Sequence, residues 1–167
     1  MSSQPTDPPA VASYRQPAPR AAVDRLDRAV AGFMQRWGHL LLRLALAVIF
    51  IWFGALKPLG LSEANDMVAR TVYWFPPTVF IPILGVWEVA IGVCLLFRPL
   101  LRVAIFLLLA QMGGTFLPLV ILPDVTWVRF PYAPTLAGQY ILKNLIIIAA
   151  ALVVGGTVRP RRVKSKL

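Results

Sequence analysis

Residues 79–97 read VFIPILGVWEVAIGVCLLF, an apolar run in which Glu88 is the only charged side chain. About 20 such residues, at 1.5 Å per residue in a helix, cross the ~30 Å hydrocarbon core of a bilayer. Because only a helix satisfies its own backbone hydrogen bonds within lipid, the run is predicted to be a transmembrane helix.

Three further stretches share this length and apolar character: residues 40–56, 103–122 and 140–157. Hydrophobic residues make up 58% of the 167 residues and charged residues only 14%, whereas about a quarter of an ordinary soluble domain is charged. A soluble protein with four buried helices would need more polar sequence to cover them. We therefore predict an all-α integral membrane four-helix bundle.

The basic residues are distributed unevenly across the predicted membrane. Of 17 lysines and arginines, thirteen lie on one side: in the segment up to Arg43, in the turn between the second and third spans, and after Thr157. The positive-inside rule places this side, with both termini, in the cytoplasm. The net charge of +10 is thus a topology signal, and we expect no nucleic-acid partner.

The segments that flank the predicted membrane domain, residues 38–157, differ in character. Residues 1–20 are rich in proline and are predicted to be disordered. Residues 21–37 carry apolar side chains at three- and four-residue spacing, which predicts an amphipathic helix on the inner membrane surface. Residues 158–167 form a basic cytoplasmic tail that is expected to attract anionic lipid of the bilayer.

The two outer connections carry different signals. In the first, Ser62 is predicted to cap a short helix over residues 63–71. The second contains Trp127, Phe130 and Tyr132, which are typical of the aromatic belt at a membrane interface. A lid over a ligand pocket is the alternative interpretation of these aromatic residues.

Glu88 lies near the middle of its span, where a carboxylate costs about 2.5–3.5 kcal/mol on insertion scales. It is therefore expected to face the interior of the bundle and to be neutral or paired. Gly85 and Gly92 lie on the same helical face, and we predict that they pack closely against another helix.

Other polar residues are predicted at similar depths. The axial gap between Glu88 and Lys143 is about 7 Å, which a lysine side chain can cover. We expect a polar cluster of Glu88, Gln111, Thr115 and Lys143 in the outer half of the bundle, with Lys57 able to join it from above.

These polar residues also have structural interpretations. Lys57 and Lys143 are long enough to reach the outer headgroups. Gln111 and Thr115 are typical of hydrogen bonds between membrane helices. An ion pair between Glu88 and Lys143 also has a purely structural interpretation, in which its only role is to fix the register of the two helices.

Proline in the third span is expected to alter its backbone. Pro118 has no N–H, so we expect a kink that leaves the carbonyl of Gly114 free as an acceptor for a ligand or a neighbouring helix.

Three motifs resemble the DoxX-like superfamily, particularly its YkgB-like branch. They are FIWFGALK at residues 50–57, LGVWE at residues 84–88 with Gly92, and GQYILK at residues 138–143. The resemblance implies a four-helix protein of the bacterial inner membrane. Relatives include a subunit of a thiosulfate:quinone oxidoreductase, proteins of membrane oxidative-stress complexes, and a protein linked to reactive chlorine resistance.

The leading functional hypothesis is a non-autonomous subunit of a quinone-linked oxidoreductase. Glu88 and Lys143 would form the proton-exchanging pair, and the quinone would lie between the helices. The residues expected to contact it are Trp52, Lys57, Gln111, Thr115 and Asn144. With one cysteine and one histidine, the chain has no Cys/His cluster with zinc spacing, so no metal is expected.

One residue departs from the DoxX-like pattern. Asn144 follows Lys143 where an acidic residue is expected, which removes an intramembrane partner for the lysine.

Two alternatives belong to other functional classes. The first is a non-enzymatic membrane scaffold or accessory subunit that anchors soluble protein partners through its basic tails; a homo-oligomer is a further possible assembly. The second is a small proton-coupled transporter in which Glu88 carries the proton.

Overall fold

The computed structural model describes residues 18–158, which are mostly helical. In chain order the elements are α1 (Ala18–Leu56), α2 (Ala64–Thr71), α3 (Pro77–Leu96), a 3₁₀ turn (Arg98–Leu100), α4 (Leu101–Thr115), α5 (Pro118–Ile121), α6 (Pro123–Thr126), β1 (Trp127–Arg129), β2 (Ala133–Pro134), α7 (Leu136–Leu142) and α8 (Asn144–Gly156). The predicted tail over residues 1–20 lies outside the described residues apart from its last three, which begin α1. The tail over residues 158–167 lies outside them apart from Val158.

Four helical stretches are long and apolar enough to cross a membrane. They are Val23–Leu56, Pro77–Leu96, Arg98–Ile121 and Leu136–Gly156. The prediction of four apolar helices of spanning length is confirmed. The third of them is broken just before Pro118, where a kink was expected, and the fourth is broken at Lys143, where none was expected.

The chain divides into two units, residues 1–36 and residues 37–167. In the described part of the first unit, helix α1 exposes apolar side chains at three- and four-residue spacing: Val23, Leu26, Val30, Phe33 and Met34. Arg28 Nε donates to the carbonyl of Asp24, one turn earlier, at 3.0 Å. An exposed apolar stripe on a helix that also carries charges is typical of binding at a membrane surface.

In the second unit, helices α1, α3, α4 and α8 share one apolar core. Its buried members are Leu46, Ala47, Phe50, Ile91, Leu95, Leu101, Ala104, Leu108, Met112, Ala150, Ala151 and Val154. Large apolar side chains are also exposed, among them Val86 on α3, Phe106 on α4 and Ile146 on α8. Extensive exposed apolar surface marks contact with lipid or with another protein, which argues against the soluble alternative.

The third span is interrupted just before Pro118, where α4 ends at Thr115 and α5 begins. The carbonyl of Gly114 accepts a hydrogen bond from the N–H of Leu117 at 3.1 Å. The expectation of a free acceptor at Gly114 is therefore wrong, because the chain tightens into a short turn that uses this carbonyl.

The connection between the first and second spans and the connection between the third and fourth spans both contain secondary structure. Helix α2 begins at Ala64 with Glu63 at its N-cap and no side-chain cap, so the predicted cap by Ser62 is wrong. Ser62 Oγ instead accepts from the N–H of Ala64 at 3.3 Å, just before the helix. The second connection contains an antiparallel pair, β1 with β2, and Trp127 Nε1 donates to the carbonyl of Leu119 at 3.0 Å. Trp127 is thus tied to α5, whereas Phe130 and Tyr132 remain exposed.

Candidate functional site

Glu88 is paired on both of its carboxylate oxygens. Lys57 Nζ lies 2.5 Å from Oε2, and Gln111 Nε2 donates to Oε1 at 2.7 Å. The Lys57 and Glu88 side chains expose only 8% and 12% of their surface, so the ion pair is shielded from the surroundings. We refer to Lys57, Glu88 and Gln111 as the Glu88 cluster.

The end of α1 explains why Lys57 reaches Glu88. The N–H of Leu61 donates to the carbonyl of Leu56, and the N–H of Gly60 donates to the carbonyl of Lys57. These two bonds, with φ of +71° at Gly60, form a Schellman motif that ends the helix. Asn65 Nδ2 also donates to the Lys57 carbonyl at 3.2 Å, so the backbone of Lys57 is held from two sides.

Glycines bring α1 and α3 together at the ion pair. A Cβ at Gly85 would lie 2.6 Å from the carbonyl oxygen of Gly54, and a Cβ at Gly54 would lie 2.8 Å from Cβ of Glu88. Further along, a Cβ at Gly92 would lie 2.8 Å from the carbonyl oxygen of Ala47. The helices are therefore antiparallel, and the end of α1 lies level with the middle of α3.

Gln111 connects the cluster to α4. Its Nε2 is used by Glu88, while its buried Oε1 has no hydrogen-bond partner in the described part of the chain. Thr115 Oγ1 donates to the backbone carbonyl of Gln111 at 3.1 Å, so Thr115 contacts the Gln111 backbone rather than the carboxylate. An unpartnered buried acceptor costs about 1–3 kcal/mol, so a donor brought to Oε1 would be favoured.

Lys143 does not join the cluster. Its side chain is exposed, and among residues 18–158 the ion pair of Glu88 is made by Lys57. The contact expected between Glu88 and Lys143 is thus replaced by the contact between Glu88 and Lys57. The expectation rested on helical rise, which gives the depth of a residue but not the direction of its side chain around the helix. Lys143 also lies at the break between α7 and α8, where its carbonyl accepts from Ile146 at 3.0 Å.

The remaining predicted ligand contacts are not gathered around Glu88. Trp52 is 62% exposed and lies about 200° around α1 from Gly54, which faces α3. Asn144 begins α8, next to Lys143, and is half-buried. The structure therefore brings together Lys57, Glu88 and Gln111 of the predicted set.

Two residues at the site were not singled out from the sequence. Gly54 lies one turn before Lys57, and a glycine at that spacing in an apolar helix signals a close helix contact. Asn65 has no comparable signal in the sequence, because its bond to Lys57 depends on how the connection between the first two spans folds back.

We expect Gly60→Ala to lower the free energy of unfolding by about 1–2 kcal/mol, since φ of +71° is strained for a residue with a Cβ. A Cβ there meets no atom within 4 Å, so the cost is conformational. Detergent-induced unfolding of the purified protein measures it. Gly113→Ala in α4 is the control, because it also meets no atom within 4 Å and lacks a positive φ. Equal losses in both variants would contradict the role of Gly60.

Comparisons with protein-family models, curated proteins and solved structures found no match for this chain. The fold and the site nevertheless indicate the class of protein to which this chain belongs. Four apolar helices of spanning length indicate a multi-pass membrane protein, and an ion pair is buried among them.

Proposed function

We propose that this chain is a DoxX-like four-helix bundle of the bacterial inner membrane, and that its Glu88 cluster binds a quinone-like molecule. The observation that carries the proposal is the shielded pair of Lys57 with Glu88, bridged to α4 by Gln111. Ionisable side chains among membrane helices are costly and usually mark ligand or proton sites.

The cluster has the chemistry that a quinone carbonyl requires. Lys57 Nζ and Gln111 Nε2 each use one N–H on Glu88, which leaves spare donors on both groups for a carbonyl oxygen. A positive charge beside that oxygen stabilises the negative charge that develops on reduction. Glu88 is close enough to the same donors to exchange a proton with the reduced oxygen.

The chain would act as one subunit of a larger redox assembly. Reduction of a quinone consumes electrons as well as protons, and a partner subunit would supply the electrons. Both termini would lie in the cytoplasm, a placement supported by the thirteen basic residues on that side.

Binding of a short-chain ubiquinone analogue to the full chain in mild detergent tests the site directly. We expect saturable binding by equilibrium dialysis. Gln111→Leu and Lys57→Met should each weaken it about tenfold, the size of one lost hydrogen bond. Arg70→Gln is the matched control for Lys57→Met. It removes an exposed cation from α2, in the connection that follows Lys57, and should leave the affinity for the quinone analogue unchanged.

Melting curves of each variant separate lost binding from lost folding. The proposed site is refuted if the unaltered protein shows no saturable binding. It is also refuted if correctly folded Lys57→Met and Gln111→Leu bind as tightly as the unaltered protein, whether or not Lys143→Met weakens binding.

A further inference from the structure

A hollow of about 470 Å³ lies where the start of α4 meets the end of α8. It is lined by Arg102, Ile105, Phe106, Gly155, Gly156 and Val158. It shares no residue with the Glu88 cluster, so it is a separate feature of the protein. Its volume falls within the range of about 300–1,000 Å³ that is usual for ligand sites.

Two consecutive glycines of α8 line the hollow. A Cβ at Gly155 would lie 3.1 Å from Cδ1 of Ile105, so α8 packs closely against α4 at this position. One residue later, a Cβ at Gly156 would meet nothing within 4 Å. The missing side chain at residue 156 therefore leaves open space, and Phe106, which lines the same hollow, is 70% exposed.

The hollow lies beside positive charge. Arg102 is exposed and lines it, and neither α4 nor α8 contains an acidic residue. The N-terminus of α4, one residue before Arg102, adds the positive end of a helix dipole. The chain beyond Val158 continues with five basic residues up to Lys166. The Arg102 guanidinium and the helix dipole of α4 therefore both favour an anion at the hollow.

We propose that this hollow binds one anionic phospholipid. Its phosphate would contact the Arg102 guanidinium, and an acyl chain would run along Phe106 into the space at Gly156. Basic positions between membrane helices are recognised sites for anionic headgroups. A soluble anion would leave the apolar lining uncovered, and the basic C-terminal tail would be repelled by Arg102. The proposal requires the membrane location but not the quinone site.

Native mass spectrometry of the full chain in neutral detergent tests the proposal, with phosphatidylglycerol and phosphatidylcholine as probes. We expect one retained phosphatidylglycerol and no comparable retention of phosphatidylcholine. Arg102→Gln should weaken phosphatidylglycerol binding about tenfold, because a charge-assisted hydrogen bond is lost. Gly156→Leu should also weaken it by filling the space for the acyl chain. Both positions are exposed, so folding should be preserved.

Arg98→Gln is the matched control. Arg98 is exposed in the 3₁₀ turn at the same end of α4 and carries the same charge, but it does not line the hollow. Binding in this variant should stay within about twofold of the unaltered protein. Equal losses for Arg98→Gln and Arg102→Gln would show diffuse attraction and overturn the site. Equal retention of both lipids, or unchanged binding in Gly156→Leu, would overturn it as well.

Discussion

Replacement of Lys57 by methionine is expected to lower the free energy of unfolding by about 3–5 kcal/mol, because it leaves the buried carboxylate of Glu88 without its counter-ion. The two side chains are 8% and 12% exposed, so solvent cannot replace the lost partner. Reversible unfolding in mixed detergent micelles measures the change. Among single substitutions of polar residues, we expect this to be one of the largest losses.

A double-mutant cycle isolates the ion pair itself. Lys57→Met combined with Glu88→Leu should be more stable than Lys57→Met alone, because the unpaired charge is removed together with its partner. Lys143→Met is the control, since that exposed lysine makes no ion pair in the described part of the chain. Additive losses in the cycle would show that the two charges are not coupled in the folded state.

Gly85→Leu is expected to destabilise the protein by about 3 kcal/mol, at the upper end of the usual cost of overpacking. Even a Cβ at this position would lie 2.6 Å from the Gly54 carbonyl oxygen and 2.7 Å from Cδ of Pro58. The helix backbones would have to separate, which would also displace Lys57, whose Cβ lies 3.0 Å from the same point. The proposed binding of a quinone at the Glu88 cluster should therefore be lost together with stability.

Gly113→Leu provides the matched control for Gly85→Leu. Gly113 is also within a spanning helix, but a Cβ there would meet nothing within 4 Å. We expect little loss of stability in this variant by the same unfolding assay. If the two leucine substitutions have equal effects, close contact between α1 and α3 does not stabilise the fold.

Some features of the site were predictable from local sequence. A carboxylate in an apolar span predicts a polar partner, and glycines on its helical face predict a close helix neighbour. In the structure Glu88 is paired, and Gly85 and Gly92 lie against α1. Gln111 was expected near Glu88 because helical rise places both at a similar depth, and it donates to that carboxylate.

The choice between Lys57 and Lys143 required information that is not local. Their depths were compatible with either pairing, because a lysine side chain spans several ångströms. The outcome depends on the direction of each side chain around its helix and on where α1 ends. The Schellman motif at Gly60 ends α1 level with the middle of α3. The Lys57 side chain there is 8% exposed and paired with Glu88.

Composition and apolar run length were sufficient for the number of spanning helices. In lipid each segment must satisfy its own backbone hydrogen bonds, which makes this property local to the segment. The partner of Glu88, the break at Lys143 and the hollow at Gly156 emerged only when the helices were assembled. The pairing of Glu88 with Lys57 and the hollow between α4 and α8 depend on contacts between residues far apart in the chain. A one-dimensional pattern gives neither the rotation of a helix nor its distance from a neighbouring helix.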